Sequence, residues 1–98
     1  MAIARCVIKK KVNDIPLTDT LFAAKVLNGM AYKLYIYFAS FQEEETTYEK
    51  KNFIQTINTT DKSVNKAFDE LIDKKFLIQE NELTYFFSPM GENTINKN

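Results

Sequence analysis

Residues 58–78 read NTTDKSVNKAFDELIDKKFLI, and the fold turns on this stretch. Val64, Ala67, Phe68, Leu71 and Ile72 fall at i, i+3, i+4, i+7 and i+8, the spacing of one apolar stripe along an α-helix. Thr60 is a natural N-cap, because its hydroxyl can accept from the backbone amides of the next turn, and Asp61 suits the positive end of a helix. Lys62, Asn65, Lys66, Asp69 and Asp73 then point outward.

Beyond this helix, Phe76-Leu77-Ile78 and Leu83-Thr84-Tyr85-Phe86-Phe87 read as two strands separated by the polar Gln79-Glu80-Asn81-Glu82. They predict a β-hairpin. Ser88-Pro89 ends it, and residues 88–98 are expected to form a flexible tail.

Before the helix, Phe53, Ile54 and Ile57 share one face of a shorter helix that starts near Thr47 or Tyr48, with Glu49 in its first turn. Asn58-Thr59-Thr60 breaks that pattern, so a tight turn separates two helices. Gln42 to Thr47 reads as a connecting loop. Its three adjacent carboxylates, Glu43, Glu44 and Glu45, lack the alternating Asp/Asn-Gly spacing of a calcium loop, and a solvated loop is the simpler reading.

Further upstream, Met30 to Phe41 is apolar almost all round, with Ala31, Leu34, Tyr35, Phe38 and Phe41 on one stripe and Tyr32, Ile36, Tyr37 and Ala39 on the rest. It is either a central core helix or a core helix whose second face forms a dimer seam. A helix of two to three turns precedes it, capped by Thr18 or Asp19 and stopped by a left-handed Asn28-Gly29. Ile3 to Val12 mixes β-branched residues with a basic run and reads as a short strand or an extended arm.

The chain has 98 residues, 45% hydrophobic, with 8 Phe and 5 Tyr, which suits one domain with one aromatic core. Its lone cysteine, Cys6, allows no internal disulfide and sits in an apolar run, which predicts a small buried residue and a reducing compartment, the cytoplasm by default. No stretch approaches the roughly 20 apolar residues of a membrane span. There is no histidine, and with 2 Gly no phosphate-cradling loop can be built, so neither catalysis nor a metal or other cofactor is expected.

The net charge is zero, with 13 basic and 13 acidic residues. The balance is uneven along the chain: six basic residues stand against two acidic ones up to Lys33, and seven against eleven after it.

A helix, a short helix, a tight turn, a helix with one polar face and a hairpin directly behind it follow the order of a winged helix-turn-helix. The stretch quoted above resembles the recognition-helix segment of prokaryotic winged-helix proteins, with a polar cap, a valine four residues on, a small residue and a late leucine before a basic-aromatic exit. Residues 12–40, VNDIPLTDTLFAAKVLNGMAYKLYIYFAS, are similar to the lead-in of winged-helix domains from plasmid and phage replication initiators, and more loosely to plasmid segregation adaptors. The two segments and what joins them cover residues 12–87. Two departures from that pattern stand out: Asn58 and Lys75 occupy places where many relatives carry glycine.

The resemblance implies an α+β winged helix-turn-helix of three to four helices with a C-terminal β-hairpin wing. It also implies sequence-specific binding of double-stranded DNA by a regulator or adaptor of a mobile element, in replication, segregation or transcription. On this reading Asn65 pairs with adenine, Ser63 meets a base edge or phosphate, Lys62 and Lys66 reach guanine edges or phosphates, and Thr59 and Thr60 contact phosphate at the helix N-terminus. Lys9, Lys10 and Lys11 are either a phosphate-binding arm or a solvated basic run.

Asp61, Asp69, Glu80 and Glu82 oppose a polyanion, so a homodimer is expected to supply the missing contacts, with a further protein partner in a replication or segregation complex. The same acidic residues keep a second class open: a winged-helix module that binds protein and never DNA, or an inhibitor encoded by a phage or plasmid.

Overall fold

The computed structural model describes residues 3–11 and 15–91. In chain order the elements are β1 (Arg5–Lys9), α1 (Leu17–Val26), α2 (Gly29–Ala39), β2 (Glu45–Glu49), α3 (Lys50–Ile57), α4 (Asp61–Asp73), β3 (Leu77–Asn81) and β4 (Thr84–Phe87). The class is α+β, with four helices and a four-stranded mixed sheet among the described residues.

The strand order is β2-β1-β4-β3. β1 lies antiparallel to β2, with Cys6 opposite Tyr48 and Ile8 opposite Thr46, and parallel to β4, with Ile8 beside Tyr85. The first strand is therefore an interior strand of the sheet and not an arm. Its alternation explains this: Cys6 and Ile8 are buried, whereas Arg5 is exposed and Val7 and Lys9 only half-buried. β3 and β4 form the expected hairpin, but Gln79, Glu80 and Asn81, read as its connector, extend β3, and the turn falls at Glu82 and Leu83. A register irregularity lies between Gln79 and Asn81, and Leu83 is exposed at the tip.

Helices α2 and α4 pack against each other and the sheet through an aromatic core. Phe38 meets Tyr48 edge-on at 5.2 Å, Tyr48 stacks on Phe68 at 5.8 Å, and Phe68 meets Tyr85 edge-on at 5.4 Å. Each such pair contributes about 0.5–1.5 kcal/mol beyond the area it buries. Of the stripe expected of α4, Val64, Ala67, Phe68 and Leu71 are buried, and Ile72 is half-buried against the core. Cys6 is buried too, as expected.

Four local readings are corrected. Asn28 and Gly29 do not stop α1 with a left-handed turn; Asn28 has φ −75° and caps α2, its side chain accepting from the Ala31 amide at 3.3 Å. The cap of the first helix is Pro16, with neither Thr18 nor Asp19 in that role. Part of the acidic loop and the start of the third helix are instead strand β2, in which Tyr48 points into the core; α3 begins only at Lys50.

The tail, lastly, is not loose from residue 88. The Ser88 amide donates to Phe76 O at 2.8 Å, and the Tyr35 hydroxyl donates to Pro89 O at 2.9 Å. Gly91, at φ 58°, packs so tightly on Phe76 that an added Cβ would sit 2.9 Å from its ring. The rest of the expected tail, 92–98, lies outside the described residues, as do the ends of the N-terminal segment at 1–2 and 12.

Asn58 and Lys75, the two places where a glycine was missed, both adopt the left-handed conformation, with φ 56° and 69°. They bracket α4. Asparagine is among the residues that tolerate this region, and lysine is not.

Candidate nucleic-acid interface

Helix α4 is held at its start by Thr60, whose Oγ1 accepts from the Ser63 amide at 3.3 Å and donates to Ser63 Oγ at 3.1 Å. The two hydroxyls expected to face a ligand therefore also serve each other. Thr59 is half-buried and spends its backbone amide on Ile54 O at 3.2 Å, closing the turn after α3. Lys62 and Lys66 are exposed on the outer face of α4, with the buried stripe behind them. Their placement follows from the stripe alone, since positions between core residues on a helix must look away from the core.

Asn65 departs from expectation. It is half-buried, and its Oδ1 accepts from Lys50 Nζ at 3.1 Å. Lys50 opens α3, and its ammonium also lies 3.6 Å from Asp61 Oδ1. Nothing in the sequence places Lys50 there, because the contact joins residues 15 apart on two helices and no periodic pattern relates them. The exposed Lys51 and Gln55 on α3 were likewise not singled out, although the polar side of its helical pattern marks them.

The three consecutive lysines separate into three environments. Lys10 is buried, and its Nζ donates to Ala39 O at 3.0 Å and Phe41 O at 2.6 Å, satisfying carbonyls at the negative end of α2. That takes it out of any phosphate-binding arm. Lys9 forms ion pairs with Glu80 at 3.1 Å and Glu45 at 3.8 Å, tying β1 to both outer strands. The hydrogen bond and charge of Glu80 raise the Lys9 pKa above its ordinary value, despite some opposing desolvation. Lys11 is exposed, with Nζ 5.6 Å from the centre of the Phe86 ring.

These pairings change the electrostatic picture. Glu80 is partly neutralised by Lys9 and Asp61 by Lys50, while Glu70 accepts from Asn28 and Lys74. Glu82 stands exposed at the hairpin tip.

On the outer side of α2 and α3, Tyr32, Ile36, Tyr37, Phe53 and Ile57 line an open groove of about 360 Å³ with Lys33 at its edge. This is the second face of the helix expected to supply a dimer seam.

Among the described residues, no group of three or more His, Cys, Asp or Glu side chains is placed to hold a metal ion. Burial pushes the Cys6 thiol up to about 12, which disfavours its thiolate further. No described helix is long and apolar enough to cross a membrane. Comparison of the chain with family models, with curated proteins and with solved structures gave no match.

Proposed function

We propose that the chain is a winged helix-turn-helix module that binds double-stranded DNA, with α4 in the major groove and the β3–β4 hairpin as its wing. The observation that carries this is the pair of exposed lysines, Lys62 and Lys66, on the first two turns of a capped helix whose opposite stripe is buried from Val64 to Leu71. A helix so anchored presents its N-terminal face rigidly, and lysines there meet guanine edges or phosphates. Thr60 and Thr59 lie beside them at the helix start, and Lys11 adds a cation at the end of β1.

Pairing of Asp61 with Lys50 and of Glu80 with Lys9 lowers the repulsion that these carboxylates would exert on phosphates. A small number of free cations still gives weak binding by one copy, so the working unit is a homodimer on a two-fold site. Control of replication, segregation or transcription on a mobile element is the biological setting we favour.

Selection of bound fragments from a random duplex pool at physiological salt, with the mass of the complex measured alongside, tests the proposal. A spaced two-fold repeat bound by two copies supports it. Absence of any enriched sequence contradicts it.

The neutral charge and the apolar groove between α2 and α3 favour a second reading, a module or inhibitor that binds another protein. Under it, substitution of Tyr32 and Ile36 abolishes complex formation with that protein, and substitution of Lys62 and Lys66 does not.

A further inference from the structure

Asn65 has one carbonyl oxygen and one amide nitrogen to offer a base, and the structure shows which of them the protein itself uses. Lysine has donors only, so the carboxamide end facing Lys50 at 3.1 Å has to be the oxygen. The alternative orientation would set an NH₂ group against an ammonium. Lys50 is itself held: its side chain is only 13% exposed, and Asp61 lies 3.6 Å from its Nζ. Nδ2 of Asn65, on a half-buried side chain, by contrast makes no hydrogen bond to an acceptor among the described residues.

A carboxamide that recognises adenine donates to N7 and accepts from the N6 amino group, so it needs both ends. Here Oδ1, whose second lone pair stays formally open, is turned toward an ammonium on a side chain only 13% exposed, so the donating end is the one left for a base. Guanine offers N7 and O6, two acceptors, to such a group, and the nearby ammonium favours the same electronegative edge. Adenine would set its N6 amino group against the donating amide.

We infer that Lys50 fixes Asn65 as a hydrogen-bond donor, so that α4 reads the N7 and O6 edge of a guanine at that position and disfavours adenine. This rests on the DNA-binding reading above and makes Lys50 a positioning residue, acting through Asn65.

The experiment runs duplex selection in parallel on the parent chain and on Asn65→Ala, Lys50→Met and Lys50→Arg, at one salt concentration. The base read by Asn65 is the one whose preference disappears in Asn65→Ala. Guanine is expected there for the parent and for Lys50→Arg, which keeps a cationic donor on the oxygen. Lys50→Met is expected to move the preference toward adenine by about tenfold.

In case Lys50→Met does not fold, the parent is also titrated with its selected duplex carrying 7-deazaguanine at that base, which lacks the N7 acceptor; affinity is expected to fall about tenfold. Adenine preferred by the parent, guanine retained unchanged by folded Lys50→Met, or indifference to 7-deazaguanine overturns the role of Lys50 and leaves DNA binding standing. No enrichment by the parent chain overturns both.

Discussion

Glu70 on α4 accepts two hydrogen bonds from Asn28, 42 residues earlier, one from its backbone amide at 2.9 Å and one from its Nδ2. Because Asn28 also caps α2, a single carboxylate fixes the corner between α1 and α2 against α4. Lys74 joins the same carboxylate at 3.2 Å.

Loss of this carboxylate in Glu70→Ala is expected to cost about 1–3 kcal/mol, because hydrogen bonds to a charged group are worth more than an exposed ion pair. Urea unfolding measures it. Lys74→Ala is expected to cost less, and equal losses would mean that the Asn28 contacts contribute little.

Lys75 adopts φ 69°, a region that costs a non-glycine residue roughly 1–2 kcal/mol. Glycine relieves this strain but adds unfolded-state freedom worth about 0.4–1 kcal/mol. Relief is the larger effect, so Lys75→Gly is expected to raise the thermal midpoint by up to about 4–8 °C. Lys75→Ala removes the charge and keeps the strain; a comparable rise there would contradict the account.

Lys10→Met leaves the carbonyls of Ala39 and Phe41 without their ammonium and is expected to destabilise the fold by about 1.5–3 kcal/mol. Lys11→Ala, on the exposed neighbour, is expected to leave stability within about 0.5 kcal/mol and to weaken DNA binding instead. Unfolding curves and duplex titrations of the two variants separate the roles. Equal stability of both would refute the burial of Lys10.

Alkaline pH is expected to destabilise the protein in a defined window. Burial raises the Cys6 thiol from its ordinary 9.0 to about 12, and burial is also the main cause of the raised Tyr35 and Tyr48 hydroxyls, ordinarily near 10.0. Above pH 9 the unfolded chain therefore gives up protons that the folded chain keeps, which favours unfolding. Stability from these groups is fully present below about pH 9 and is lost as pH rises toward 12 and beyond. A denaturation midpoint unchanged between pH 8 and pH 11 would show that these groups titrate normally in the folded state.

The parts of the fold that repeat locally were legible in the sequence. The α4 stripe, the Thr60 cap and the hairpin each rest on neighbours within a few residues, and each was placed close to where it lies. What depends on distant partners was not. β2 has five residues, two of them Glu, and only Tyr48 is buried, so its alternation is too short to outweigh an acidic run that reads as a loop. β1 becomes an interior strand through parallel pairing with β4, nearly 80 residues later, and its own sequence cannot specify that partner.

The same distinction runs through the candidate site. Lys62 and Lys66 follow from helical period, whereas the three fates of Lys9, Lys10 and Lys11 depend on Glu80, the end of α2 and Phe86. Asn28-Gly29 shows that a local signal can be ambiguous: the pair suits a helix stop or an N-cap, and the immediate start of α2 decides for the cap.

The central claim is that the exposed face of α4 meets phosphates and base edges. Its most direct measurement is the salt dependence of affinity for a selected duplex, compared between the parent chain and a Lys62→Ala/Lys66→Ala double variant. If both lysines lie on phosphates, the slope of log affinity against log salt is expected to flatten by about 2 in the double variant, with weaker binding throughout. An identical slope and affinity in the two proteins would contradict the assignment of α4 to DNA.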